Sequence, residues 1–135
     1  MSLEEKKQSI VDDFSMFDEW LDKYEYIIEL GKKLESFPED KKTEDRLIKG
    51  CQSRVWLDCS VKDGKLYFTA DSDAIITKGI ISLLISVYSG RSAEILNYDF
   101  SFIEELGLKE NLSPTRANGL ESMIETIKEF AKKNV

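Results

Sequence analysis

The segment Ala74–Val87 constrains this chain more than any other. Nine of its fourteen residues are apolar, and they lie nearly all round a helix. A helix of that kind sits at the centre of a fold. Fourteen residues are too few for a membrane span, which needs roughly 20, and Lys78 interrupts the run. The rest of the chain must therefore wrap this helix. With 135 residues it is long enough to do so as one domain, residues 1–135, because domains cluster near about 100–150 residues. At that size a core needs no disulfide or metal staple. The 41% hydrophobic and 33% charged content is that of a soluble globular protein, not a disordered one. No repeat, low-complexity stretch or linker divides it.

A hairpin precedes the central helix. From Arg54 to Val61 the residues alternate, with Val55, Leu57, Cys59 and Val61 on one face and Trp56, Asp58 and Ser60 on the other. Lys62-Asp63-Gly64 is a tight-turn signal. Leu66, Phe68 and Ala70 then alternate with Tyr67 and Thr69. Asp71-Ser72-Asp73 offers caps for the helix that follows. The first third is helical by spacing: Ile10, Phe14, Phe17 and Leu21 form one stripe, and Trp20, Tyr24, Ile27, Ile28 and Leu34 continue it. A break near Ser15-Met16 makes Asp18 a candidate cap for a second helix, and Gly31 should weaken its last turn. Glu35–Arg46 reads as a loop, long enough to be functional or mobile. Beyond the central helix, a short helix should start at Arg91-Ser92-Ala93-Glu94 and another should cover Phe102–Leu108. Asn97-Tyr98-Asp99-Phe100 is a candidate third strand. Ser113-Pro114 opens the last helix, with Ser as N-cap and Pro at its first position. Ala117, Leu120, Ile124, Ile127 and Ala131 share its apolar face. Helices, hairpin, helices is an α+β order: a small antiparallel sheet packed by helices.

Composition narrows the chemistry. The chain has no histidine, so no Ser-His-Asp triad, Cys-His pair or His-based zinc site exists. Its two cysteines alone cannot make a Cys₄ metal site. A net charge of -7 disfavours nucleic acid, which needs a basic surface. Cys51 and Cys59 flank a strand-like segment that would span roughly 25 Å. A disulfide needs Cα atoms within about 7 Å, so both thiols should be free. Free thiols suit a reducing compartment. The stretch Met1-Ser2-Leu3-Glu4-Glu5-Lys6-Lys7 lacks the apolar run of a secretory leader. A cytoplasmic location is the expectation.

The two thiols differ in setting. Cys59, on the apolar face of a strand, reads as a small core hydrophobe. Cys51 lies in the loop Gly50-Cys51-Gln52-Ser53, flanked by Lys49 and Arg54, whose charges would favour thiolate. A loop thiolate without histidine is poorly equipped for hydrolysis and well equipped for attack on sulfur. An inward-packed, inert Cys51 is the plainer alternative.

Four ordered blocks carry a resemblance. They are Gly50-Cys51-Gln52-Ser53-Arg54-Val55-Trp56; Tyr24-Glu25-Tyr26-Ile27-Ile28-Glu29-Leu30-Gly31; Asp71-Ser72-Asp73-Ala74 with Lys78-Gly79; and Leu112-Ser113-Pro114-Thr115-Arg116 with Gly119-Leu120-Glu121-Ser122-Met123. Together, over nearly the whole chain, they resemble the SufE family, sulfur acceptors of iron–sulfur cluster assembly that include the similar CsdE. Arg54 stands where the family often has Gln, and Ala70 where Gly often precedes the Asp. The resemblance implies a fold like that of IscU-type scaffolds. It implies that Cys51 takes sulfane sulfur from a SufS-type cysteine desulfurase, thereby activating it, and passes the sulfur to a SufBCD-type scaffold. This would be a carrier and not an enzyme in its own right. It would bind no metal or cofactor; pyridoxal phosphate would belong to the partner, and only transient sulfur would sit on Cys51. The cysteine loop would rest with its sulfur in an apolar cavity and swing out at the partner, with Gly50 suited to the hinge. Arg116 and Asp73 match family positions near the loop, though a helix start and helix capping explain them as well. Gln52 and Ser53 either offer hydrogen bonds to the thiolate or shape the turn. A CsdA-type desulfurase, an IscU-like scaffold role and a pure interaction domain are the alternatives. Monomer and homodimer are both compatible with the acidic surface.

Overall fold

In a computed structural model, residues 2–96, 100 and 102–134 are described. The described residues form seven helices and a three-stranded sheet: α1 (Leu3–Ser15), α2 (Trp20–Lys32), β1 (Val55–Lys62), β2 (Lys65–Ser72), α3 (Ile75–Tyr88), β3 (Arg91–Ser92), α4 (Ala93–Leu96), α5 (Phe102–Glu105), α6 (Leu108–Asn111) and α7 (Pro114–Lys133). The α+β expectation holds. So does the centrality of α3: Ile80, Ile81, Leu83, Leu84, Val87 and Tyr88 are all buried. Helix α3 packs on α2, β2, α1 and α7.

The antiparallel sheet has the order β1-β2-β3. Its hairpin pairs Val55 with Ser72 and runs to Lys62 opposite Lys65. Asp63 and Gly64 both take positive φ, 53° and 76°, as a two-residue turn matched to strand twist requires. A third strand forms at Arg91–Ser92, ahead of the candidate segment. Arg91–Ser92, expected to open a helix, instead pairs with Lys65 and Leu66. Gly90, at φ 80°, turns the chain back, and its N–H donates to the Leu66 carbonyl. Of the candidate strand at 97–100, residues 97–99 lie outside the described residues. Phe100 stacks on Tyr88, with ring centroids 4.2 Å apart.

Other differences have local causes. Leu21 is 69% exposed and leaves the Ile10–Phe14–Phe17 stripe, because the break after α1 resets the helical phase. Asp18 caps nothing; Glu19 holds the N-cap position of α2 without a side-chain bond. Asp71-Ser72-Asp73 does not cap α3 by the usual geometry either: β2 runs on through Ser72, and Ala74 becomes the N-cap. The Phe102–Leu108 helix is split by Gly107, at φ 72°. Helices α1 and α7 begin as their sequences demand. Ser2 and Glu5 exchange hydrogen bonds in a capping box, and Ser113 Oγ accepts from Arg116 N–H ahead of Pro114.

Glu35–Arg46 is a strap. It contains two single 3-10 turns, Glu39–Lys41 and Glu44–Arg46. Phe37, within it, is buried. Lys42 reaches Asp71 at 3.1 Å, and Lys41 and Arg46 reach Asp58 at 3.5 and 3.6 Å. Lys42 also lies over the Trp56 ring. The strap covers the face of the hairpin that carries Trp56, Asp58 and Asp71, and it delivers the chain to residues 49–54.

Candidate functional site

The segment 49–54 is a closed loop. Ile48 N–H donates to the Val55 carbonyl at 2.8 Å, and Leu47 bridges to Trp56. Its far end is held by Asp73, whose carboxylate accepts from Arg54 N–H at 3.1 Å. The Arg54 carbonyl in turn accepts from Ser72 Oγ at 2.8 Å and from Asp73 N–H at 3.2 Å. Sequence reasoning offered helix capping as an equal explanation for Asp73. The structure gives its side chain to the cysteine loop instead.

Two contacts with α7 seat the tip of this loop. Gly50, at φ 92°, lies so close to Ser122 that a β-carbon would collide with the hydroxyl. Cys51 follows, half-buried, with its Sγ 3.6 Å from the Gly119 carbonyl, to which the thiol donates weakly. The sulfur lies beside Gly119, where a β-carbon would stand 3.5 Å from Sγ, in ordinary van der Waals contact.

A cavity of about 350 Å³ opens beside the thiol. It is lined by the Cys51–Ser53 stretch, by Thr77 and Ile80 of α3, and by Ser113, Thr115, Arg116, Gly119 and Met123 around the start of α7. Ile80 and Met123 are buried and make an apolar floor. Gln52 and Arg116 are exposed at its rim, and Ser53 is half-buried. The cavity is thus apolar at its base and polar at its rim. Cys51, Gln52, Ser53 and Arg116 come together around it; Gly50 and Asp73 stand outside it as anchors of the loop. Thr77 has no counterpart among the residues the sequence singled out, since within so apolar a helix it carries no distinguishing signal.

Burial pushes the Cys51 thiol above its ordinary value. This overturns the expectation that Lys49 and Arg54 would favour thiolate. Both side chains are exposed, and the thiol turns away from solvent towards Gly119. Cys59 lies mid-strand opposite Phe68, half-buried, pushed up to about 11 by burial and by the Asp58 carboxylate. The two thiols are free, as the strand length predicted.

Residues 8–131 match the family model of the SufE Fe-S metabolism associated domain. The chain belongs to the SufE family. An uncharacterized SufE-like protein of Rhizobium etli is 43% identical over 129 residues, covering 91% of this chain and 87% of its own. A second, from Rhizobium meliloti, is likewise 43% identical, covering 91% of this chain and 92% of its own. The solution structure of a hypothetical protein from Thermus thermophilus superposes with a TM-score of 0.77 at 23% identity, over 96% of this chain and 95% of that one. That likeness concerns the fold.

The loop's anchoring leads to one expectation here. Asp73→Ala should speed alkylation of Cys51 by roughly three- to tenfold, the equivalent of one lost solvent-exposed hydrogen bond. The melting temperature should barely move, because Asp73 does not cap α3. Iodoacetamide labelling read by intact mass measures the rate. A lowered melting temperature with unchanged labelling would return Asp73 to a capping role.

Proposed function

We propose that this SufE-family chain is a sulfur acceptor and carrier, with Cys51 as the residue that holds the sulfur. Family membership supports a sulfur-acceptor role in Fe-S metabolism. The observation that carries the assignment to Cys51 is its position. It sits on a closed loop pinned at few points, with its sulfur against Gly119 and a cavity beside it. Cys59 is fixed within a paired strand.

The chemistry follows from the two states of such a loop. Seated, the thiol is held by burial further from ionisation, which disfavours attack from this position. Swung out, it regains an ordinary acidity, and its thiolate attacks the outer sulfur of a partner's persulfide. Reseated, the cavity shields the new persulfide from reductants and oxidants. Removing the sulfur frees the partner's cysteine, so the carrier accelerates the desulfurase without being an enzyme itself. The partner proposed is a SufS-type cysteine desulfurase, which supplies its own pyridoxal phosphate, and the recipient a SufBCD-type scaffold. A CsdA-type desulfurase is the other candidate donor. No helix among the described residues is long and apolar enough to cross a membrane, and the proposed exchange needs reduced thiols, which suits the cytoplasm. An IscU-like scaffold would need several ligands at one place, and among the described residues no group of three or more Cys, Asp or Glu is gathered for a metal.

The test is intact mass after mixing the protein with a SufS-type desulfurase, cysteine and pyridoxal phosphate, without reductant. One or more added sulfur atoms should appear, be lost in Cys51→Ser and persist in Cys59→Ser. An adduct that follows Cys59, or none at all, rejects the reading. Replacing SufS by a CsdA-type enzyme shows which donor loads faster.

A further inference from the structure

Thr77, in the first turn of α3, is only 8% exposed, yet it lines the cavity beside Cys51. Buried helical hydroxyls normally find a carbonyl. The other buried hydroxyl of α3 does: Ser82 Oγ donates to the Leu30 carbonyl at 2.8 Å, and half-buried Ser86 Oγ likewise donates to Leu83 at 2.7 Å. Thr77 has no such bond among the described residues. Nor does any fully sealed side-chain oxygen among them lack a partner. The Thr77 hydroxyl is therefore not sealed in the core, the cavity is what Thr77 lines, and no group among the described residues receives its proton.

We propose that the Thr77 hydroxyl binds the outer sulfur of a persulfide on Cys51 and holds it inside the cavity between α3 and α7. This rests on Cys51 being the sulfur-bearing residue. About 350 Å³ leaves ample room for one more sulfur. Ile80 and Met123 keep the floor dry, and Arg116 places a cation at the rim. In the loading step the Cys51 thiolate attacks the outer sulfur of the donor's persulfide. The new sulfur–sulfur bond forms as the donor's breaks, and the electron pair leaves on the donor's thiolate. The transferred sulfur keeps its hydrogen, so nothing else is oxidised or reduced. When that hydrogen is lost to solvent as a proton, the outer sulfur becomes an anion, the acceptor Thr77 lacks in the empty protein.

The test uses the full chain carrying Cys59→Ser, loaded on Cys51 with inorganic polysulfide, so that it does not depend on any desulfurase. Loss of the added sulfur to a phosphine reductant is followed by intact mass. Thr77→Val should lose it roughly three- to tenfold faster, as for the loss of one ordinary hydrogen bond in a site open to water. Thr77→Ser should behave as the parent. The melting temperature of Thr77→Val should be unchanged or higher, because both residues are β-branched and the hydroxyl makes no bond within the protein. The proposal is overturned by an unchanged lifetime in Thr77→Val, by equal shortening in both variants, by a fallen melting temperature in Thr77→Val, or by failure of the parent to hold the sulfur. Normal polysulfide loading with no loading from a desulfurase would instead count against the donor assignment and leave the Thr77 result standing.

Discussion

Gly79→Ala should destabilise the fold by about 3 kcal/mol and lower the melting temperature by roughly 10 °C. The reason is the contact between α2 and α3. A β-carbon on Gly79 would fall on the Ile27 carbonyl oxygen, 2.6 Å from its Cγ2 and 2.7 Å from its carbonyl carbon. Most of these are backbone atoms, which cannot rotate away, so the helices must part. From the other side, a β-carbon on Gly31 would lie 2.9 Å from the Gly79 nitrogen. The two glycines are one close approach seen from both helices. Ala is the better helix former by about 1 kcal/mol, and that gain is the smaller quantity here. Gly64→Ala is the control. Nothing lies within 4 Å of its would-be β-carbon, so it should show only the left-handed backbone penalty of about 1–2 kcal/mol. Thermal and urea melts of the two variants measure the difference. Gly79→Ala melting with the parent would mean that α2 and α3 are not locked at this point.

Patterns with a strong local cause were legible in the sequence. The apolar run of α3, the Asp63-Gly64 hairpin and the Ser113-Pro114 start each depend on a few adjacent residues, and each stands where it was expected. Features decided by tertiary contact were not. Gly31 reads as a weak spot in a helix, and only the approach of Gly79 shows what its missing side chain allows. Arg91–Ser92 forms a strand because Gly90 presents it to Lys65 and Leu66, a pairing that no local pattern encodes. At the site, the loop residues were identifiable from their order in the chain. The acidity of Cys51 was not, since flanking cations suggested one direction and burial against Gly119 set the other. Asp73 illustrates the same limit. A side chain two residues before a helix is read as a cap until the loop 19 residues upstream is seen to claim it.

The second large effect belongs to Gly50. With φ at 92° it occupies a backbone region that an L side chain enters at a cost of about 1–2 kcal/mol. In Gly50→Ala that cost falls on the seated loop alone, since a loop that swings free of α7 can relax its φ. A penalty of this size shifts the ratio of open to seated loop roughly 5- to 30-fold. Cys51 should then be alkylated faster by about that factor. Its labelling should also extend to lower pH: the seated thiol, raised by burial, stays protonated where a solvated one has begun to ionise. The collision with Ser122 Oγ contributes less, because a serine hydroxyl can turn about its own Cα–Cβ bond. Adding Ser122→Ala to Gly50→Ala should therefore restore little of the seated population. Full recovery in the double variant would assign the effect to the Ser122 contact. Labelling of Gly50→Ala at the parent's rate would mean that the loop is not held by its glycine. If the seat protects the sulfur, the variant should also load readily from a desulfurase and lose its persulfide quickly to reductant, the two rates moving up together because both depend on how often the loop is open.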